Sequence, residues 1–102
     1  METKAVFAMI FGKLEENGKI FTILNARNDG KIGFPGGSIE EGEIPIEALK
    51  RELIEELNFE TSLFVKDCDI KILEKRIGDH FSFETYSIDL GKISKNTMSE
   101  II

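Results

Sequence analysis

One cysteine, Cys68, one histidine, two prolines and no tryptophan occur in a chain of 102 residues. A lone thiol has no partner in its own chain, so no disulfide staples the fold, and Cys68 reads as a small apolar residue kept reduced. Long apolar runs are missing too. Residues 5–11 form the longest near the start, without the basic flank of a signal peptide and far short of the ~18 residues of a membrane span. The expectation is a cytoplasmic protein, not exported and with no membrane partner. Positive charge is scarce: 13 Lys plus Arg stand against 19 Asp plus Glu, a formal charge of −6. A surface of that sign repels nucleic acid, so any phosphate-bearing ligand must be held by a local device.

What is present is a globular mixture, 41% hydrophobic and 31% charged, at the length of one domain, residues 1–102. Residues 5–14 are apolar and aromatic, Asn17-Gly18 follows, and residues 19–25 alternate polar and apolar, which spells a β-hairpin closed by a positive-φ turn. Asn28-Asp29-Gly30 is a second turn, leading into an extended piece over 31–34 and then Pro35-Gly36-Gly37. From Pro45 to Leu57 the period becomes helical, with Ile46, Leu49, Leu53 and Leu57 on one stripe. Pro45 suits a first helical position and Asn58, which tolerates a left-handed backbone, marks the end, although Ile44 is a poor cap. Residues 61–69 and 70–77 read as extended, Gly78-Asp79 as a turn and 80–90 as a long strand. The tail, 91–102, is polar until Ile101 and Ile102, and no second helix is expected in it.

On the helix, Glu52, Glu55 and Glu56 fall within an arc of about 100°, outside the apolar stripe. Carboxylates three and four apart repel by roughly 0.2 to 0.5 kcal/mol per pair unless a cation lies between them. Ala48 is expected to project among them and leave room for a hydrated ion or a polyphosphate. The plain alternative is a solvated acidic face with Glu47 and Arg51 paired at i,i+4. Upstream, FPGGSIEEGE joins a close-approaching Gly-Gly turn to an acidic loop able to offer carbonyl oxygens.

Gly37, Glu43 and the run Arg51-Glu52-Leu53-Ile54-Glu55-Glu56-Leu57-Asn58-Phe59 together resemble the Nudix box of the MutT-like Nudix hydrolases, here residues 37–59. The family usually has glycine where this chain has Asn58, an exchange the left-handed tolerance of asparagine permits. Drawing Gly, Arg and four Glu at those six positions by chance has a probability on the order of 10⁻⁶ per window. The hairpin ahead of the box and Arg27 extend the likeness.

The resemblance implies an α/β fold, an α/β/α sandwich around a mixed sheet, here lacking the C-terminal helix. It implies hydrolysis of a nucleoside diphosphate linked to another moiety, with a small nucleotide such as a nucleoside triphosphate favoured and nucleic acid disfavoured. Glu52, Glu55, Glu56 and the Gly36 carbonyl become expected ligands of Mg²⁺ or Mn²⁺, an oxygen-only set suited to a hard cation. Arg51 would orient a catalytic glutamate. Glu100 stands where the family often places a late metal-binding or basic carboxylate, or it belongs to a frayed tail. Arg27 is a phosphate contact or a surface arginine. Phe34, Phe81, Phe83 and Tyr86 offer rings to a nucleobase or pack in the core, and His80 reads as structural. A non-catalytic nucleotide-binding module on the same fold is the alternative function. Without a second helix, apolar sheet surface would be left bare, and a homodimer is the expected remedy.

Overall fold

Strand β1, Thr3–Leu14, alternates its side chains so strictly that one face carries Val6, Ala8 and Ile10, all buried, and the other Phe7, Met9 and Phe11, half-buried. The structure is a computed structural model and describes residues 3–26, 29–60 and 69–101. Arg27, Cys68 and the extended piece expected from residue 61 lie outside these.

The Asn17-Gly18 turn, with Gly18 at φ +70°, returns the chain into β2, Ile20–Ile23, antiparallel to β1 with Ile10 opposite Ile23. Two short strands follow, β3 (Asn25–Ala26) and β4 (Ile32–Gly33), paired antiparallel as the second turn signal implies. Strand β5, Gly36–Ser38, returns to the same edge of β1, Phe7 opposite Gly36. Helix α1, Pro45–Leu57, has the expected bounds. Strands β6 (Ile70–Ile77) and β7 (Phe81–Ile93) form a hairpin, and β7 lies parallel to β1, so the sheet is mixed, in the order β2-β1-β7-β6 with β5 beside β1.

Under α1, Leu49, Leu53 and Leu57 meet Val6, Ala8, Ile10, Ile23 and Ile88 in the main core. Ala48 belongs there as well. It is fully buried, so it does not open space among the glutamates. The helix start compensates for Ile44 by another route: the Glu47 carboxylate accepts the Ile44 N–H at 3.2 Å, so Glu47 caps the helix and does not pair with Arg51. At the far end Asn58 adopts φ 53°, ψ 34°, and the Phe59 N–H donates to the Leu53 carbonyl, a Schellman closure that turns Phe59 into the core.

The tail departs from expectation. Residues Lys95–Ile101 form α2, whose Ile101 is 1% exposed in the core and whose Met98 packs against it. Ser94 accepts the Thr97 N–H at 3.1 Å, a cap that a reading for apolar period overlooks. The tail thus covers part of the core itself, while Ile72, Leu73 and Ile77 of β6 stay exposed, so only part of the bare apolar surface expected from the sequence is closed. Among the described residues no helix is long and apolar enough to cross a membrane.

Candidate functional site

Strand β5 has two edges, and each serves a different purpose. Ala8 N–H donates to the Pro35 carbonyl and Ile39 N–H to the Lys4 carbonyl, which places the pairs at positions 4, 6 and 8 of β1 in hydrogen-bonded register. The polar groups of Gly36 and Ser38 therefore face away from β1, toward α1. The Gly36 N–H donates to Glu56 Oε2 at 3.3 Å, and the Ser38 carbonyl accepts from Arg51 Nη2 at 3.0 Å. Because the Gly37 N–H points to β1, the Gly36 carbonyl in the same trans peptide points to the α1 side, where a metal-ligand role requires it.

Glycine is needed at both positions. Gly36 sits at φ 153°, and a Cβ there would run into the Val6 carbonyl; a Cβ on Gly37 would come within 2.5 Å of the Glu52 carboxylate. Glu52 and Glu56 are thus pressed against β5, half-buried, and the acidic face of α1 is a docking face and not a solvated one.

Arg51 uses all five of its N–H donors inside the cluster. Nε and Nη2 grip Glu43 in a bidentate pair at 2.8 and 2.9 Å, Nη2 also reaches Ser38, and Nη1 donates to Glu52 at 3.0 Å and Glu55 at 3.4 Å. A guanidinium so committed orients carboxylates and has nothing left for a substrate. Its hydrogen bonds hold the Glu43 carboxyl down to about 2. Glu56 moves the opposite way: burial, and then the charges of Glu52 and Glu55, raise its proton affinity against the pull of the Gly36 N–H. Three crowded carboxylates, one of them made reluctant to ionise, are what a divalent cation relieves. With the Gly36 carbonyl they form an oxygen-only donor set, so the residues fit Mg²⁺ or Mn²⁺. Of the three, Glu55 is the most exposed, at 57%.

Glu56, Gly36, Gly37 and Asn25 border an open cleft of about 800 Å³ that Phe34, Phe81 and Phe7 also line. Phe34 and Phe81 are each 45% exposed, so for these two the core reading fails, and both line the cleft. Phe83, half-buried, makes an edge contact with Phe7, and Tyr86, packed against the core, donates to Glu84. Glu100 lies exposed on α2 and is not among the residues that line this cleft. His80 is exposed at the turn before β7. Asn25 was missed. Its Nδ2 donates to Glu56 Oε2 at 2.8 Å, and the only hint in the sequence is a polar residue closing an alternating strand.

The Nudt16-like family profile, described as U8 snoRNA-decapping enzyme-like, matches residues 4–97. A U8 snoRNA-decapping enzyme of Homalodisca vitripennis is 43% identical over 68 residues, covering 59% of this chain and 35% of its own, so the chain spans about a third of that curated relative. A MutT/nudix family protein of Enterococcus faecalis superposes with a TM-score of 0.75 at 16% identity, over 87% of this chain and 37% of that one. A MutT structure from work on Aliivibrio salmonicida and Vibrio cholerae gives 0.65 at 27% identity, over 86% and 65%. With the family profile running from β1 through the box into α2, the chain belongs to the Nudt16-like family of Nudix hydrolases.

Proposed function

We propose that this chain is a metal-dependent pyrophosphohydrolase acting on a nucleoside diphosphate linked to a further group. The observation that carries the proposal is the wedging of Glu52 and Glu56 against the Gly36-Gly37 backbone at the rim of an aromatic-lined cleft. Glu52, Glu55, Glu56 and the Gly36 carbonyl would hold Mg²⁺ or Mn²⁺, which when bound neutralises phosphate charge and lowers the cost of forming hydroxide from water. Phe34 and Phe81 flank the space where a nucleobase stacks, Arg51 keeps Glu52 in place, and Arg27, whose guanidinium suits an oxyanion, is the phosphate contact. Water adds to one phosphorus, the bridging P–O bond breaks, and the water's proton leaves through a carboxylate, giving a nucleoside monophosphate and a phosphorylated remainder.

For the substrate, a nucleoside triphosphate remains the first choice, and the similarity to a protein named a U8 snoRNA-decapping enzyme sets a capped RNA end beside it. Both present the same pyrophosphate-linked nucleoside. A cytoplasmic location and a homodimer complete the proposal, the latter read by sedimentation at micromolar concentration. The test is a panel of nucleoside triphosphates, dinucleoside polyphosphates, nucleotide sugars and capped RNA, each with Mg²⁺, Mn²⁺ or excess chelator. Turnover of at least one substrate with metal and none in chelator is expected. Nucleotide binding without turnover would favour the non-catalytic module, and full turnover in chelator would overturn the metal role.

A further inference from the structure

The three glutamates of the cluster are not held alike. Arg51 steadies Glu52 at 3.0 Å and touches Glu55 at 3.4 Å, but among the described residues its ion pairs do not extend to Glu56. Glu56 is held instead by two neutral donors on one oxygen: Oε2 accepts Asn25 Nδ2 at 2.8 Å and the Gly36 N–H at 3.3 Å. A carboxylate only accepts, so the amide nitrogen of Asn25 is the atom that faces it. Asn25 is itself seated by backbone pairing, opposite Gly33 in the β3–β4 hairpin, 31 residues away from Glu56 along the chain. With Oε2 accepting both bonds, the torsion of the Glu56 carboxylate is set beside its neighbour Glu52, and Oε1, which takes neither bond, is the oxygen it can offer to an ion.

We infer that Asn25 is a positioning residue, which presents Glu56 Oε1 to the divalent cation by holding Oε2 through its side-chain amide. The inference rests on the metal role proposed above. Its physical content is pre-organisation: a ligand already fixed in its binding rotamer does not lose that freedom when the ion arrives, and hydrogen bonds behind a metal ligand are worth about 10- to 100-fold in affinity or rate. Asn25 and Glu56 line the same cleft as Phe34.

The experiment measures Mn²⁺ binding alone, by titration calorimetry, together with steady-state kinetics on whichever nucleotide the wild type hydrolyses. Asn25→Ala removes the amide; Asn25→Leu removes it while keeping the branched outline of the side chain, and circular dichroism shows whether the fold is retained. Both are expected to weaken Mn²⁺ by about 10- to 100-fold and lower kcat comparably, with KM for the nucleotide within about twofold. In a Glu56→Gln background the same change at Asn25 should have little further effect on Mn²⁺ affinity, because the oxygen it prepares is no longer a charged ligand. Mn²⁺ affinity within about twofold of wild type in both single variants, or an equal loss in the Glu56→Gln background, would overturn the inference. A wild type that binds Mn²⁺ but turns over no substrate would count against the proposed activity alone, and the titration would still decide the role of Asn25.

Discussion

Glu43 and Glu56 respond to pH in opposite senses, and each follows from its partners. The Glu43 carboxyl is lowered to about 2 by Arg51, so its pairing contributes stability above the ordinary value of 4.5 and loses it as pH falls from there through 2. Glu56 is raised by burial beside Glu52 and Glu55, so in the metal-free protein its contribution is complete below 4.5 and is lost as pH rises through its higher folded value. Glu56→Gln keeps the volume and an oxygen able to accept from Asn25 while removing the charge. Its thermal midpoint in chelator at pH 7 is therefore expected to exceed that of the wild type, and the difference should shrink on acidification toward pH 4. The same substitution should cost at least about 100-fold in kcat with metal present, since a ligand matters no less than the group behind it. A lower midpoint for the variant at pH 7 would contradict the crowding argument.

At the scale of elements, the site is a contact between β5 and α1, and the two glycines of β5 permit it in different ways. Gly36→Ala drives a methyl into the Val6 carbonyl, where only backbone can yield, at a φ that L residues avoid. A destabilisation of about 1 to 3 kcal/mol is expected in denaturant titration. Gly37→Ala meets the Glu52 carboxylate, the movable end of a side chain. Its stability should change by less than about 1 kcal/mol, while kcat falls by about 10- to 100-fold as Glu52 is pushed off its bond to Arg51. Equal stability losses in both would mean that Glu52 is as immobile as the backbone. The end of α1 belongs to the same scale: Asn58 takes a left-handed conformation, and Phe59, buried just beyond, anchors the helix that carries the glutamates.

In the whole molecule, α2 ties the last residues described to the core. Ile101 is a fully covered side chain on a seven-residue helix, and Glu100 beside it is exposed. Ile101→Ala should destabilise by about 2 to 5 kcal/mol, a large part of the ~5 to 15 kcal/mol that holds a small domain. Glu100→Ala should leave stability within about 0.5 kcal/mol. Thermal unfolding compares the two. A marked fall in kcat for Glu100→Ala at unchanged stability would return that carboxylate to the site.

The sequence by itself determined what depends on near neighbours. The apolar spacing at Ile46, Leu49, Leu53 and Leu57 and the Pro45 and Asn58 ends define α1, because helix periodicity and end chemistry are local; the first hairpin and β6 were legible for the same reason. The carboxylates were legible as a set because their spacing is the motif. Side chains whose fate depends on distant chain were not. Ala48 lies buried because of how α1 is rotated against the sheet, Phe34 and Phe81 stand open because of which face the cleft occupies, and Ile101 is core because the end of β7 aims α2 back at it. Asn25 meets Glu56 only once β3 and the last turn of α1 flank β5. A hydrogen bond between residues 31 apart leaves no period in the chain, since its closeness is set by the sheet and the helix together and by neither segment alone.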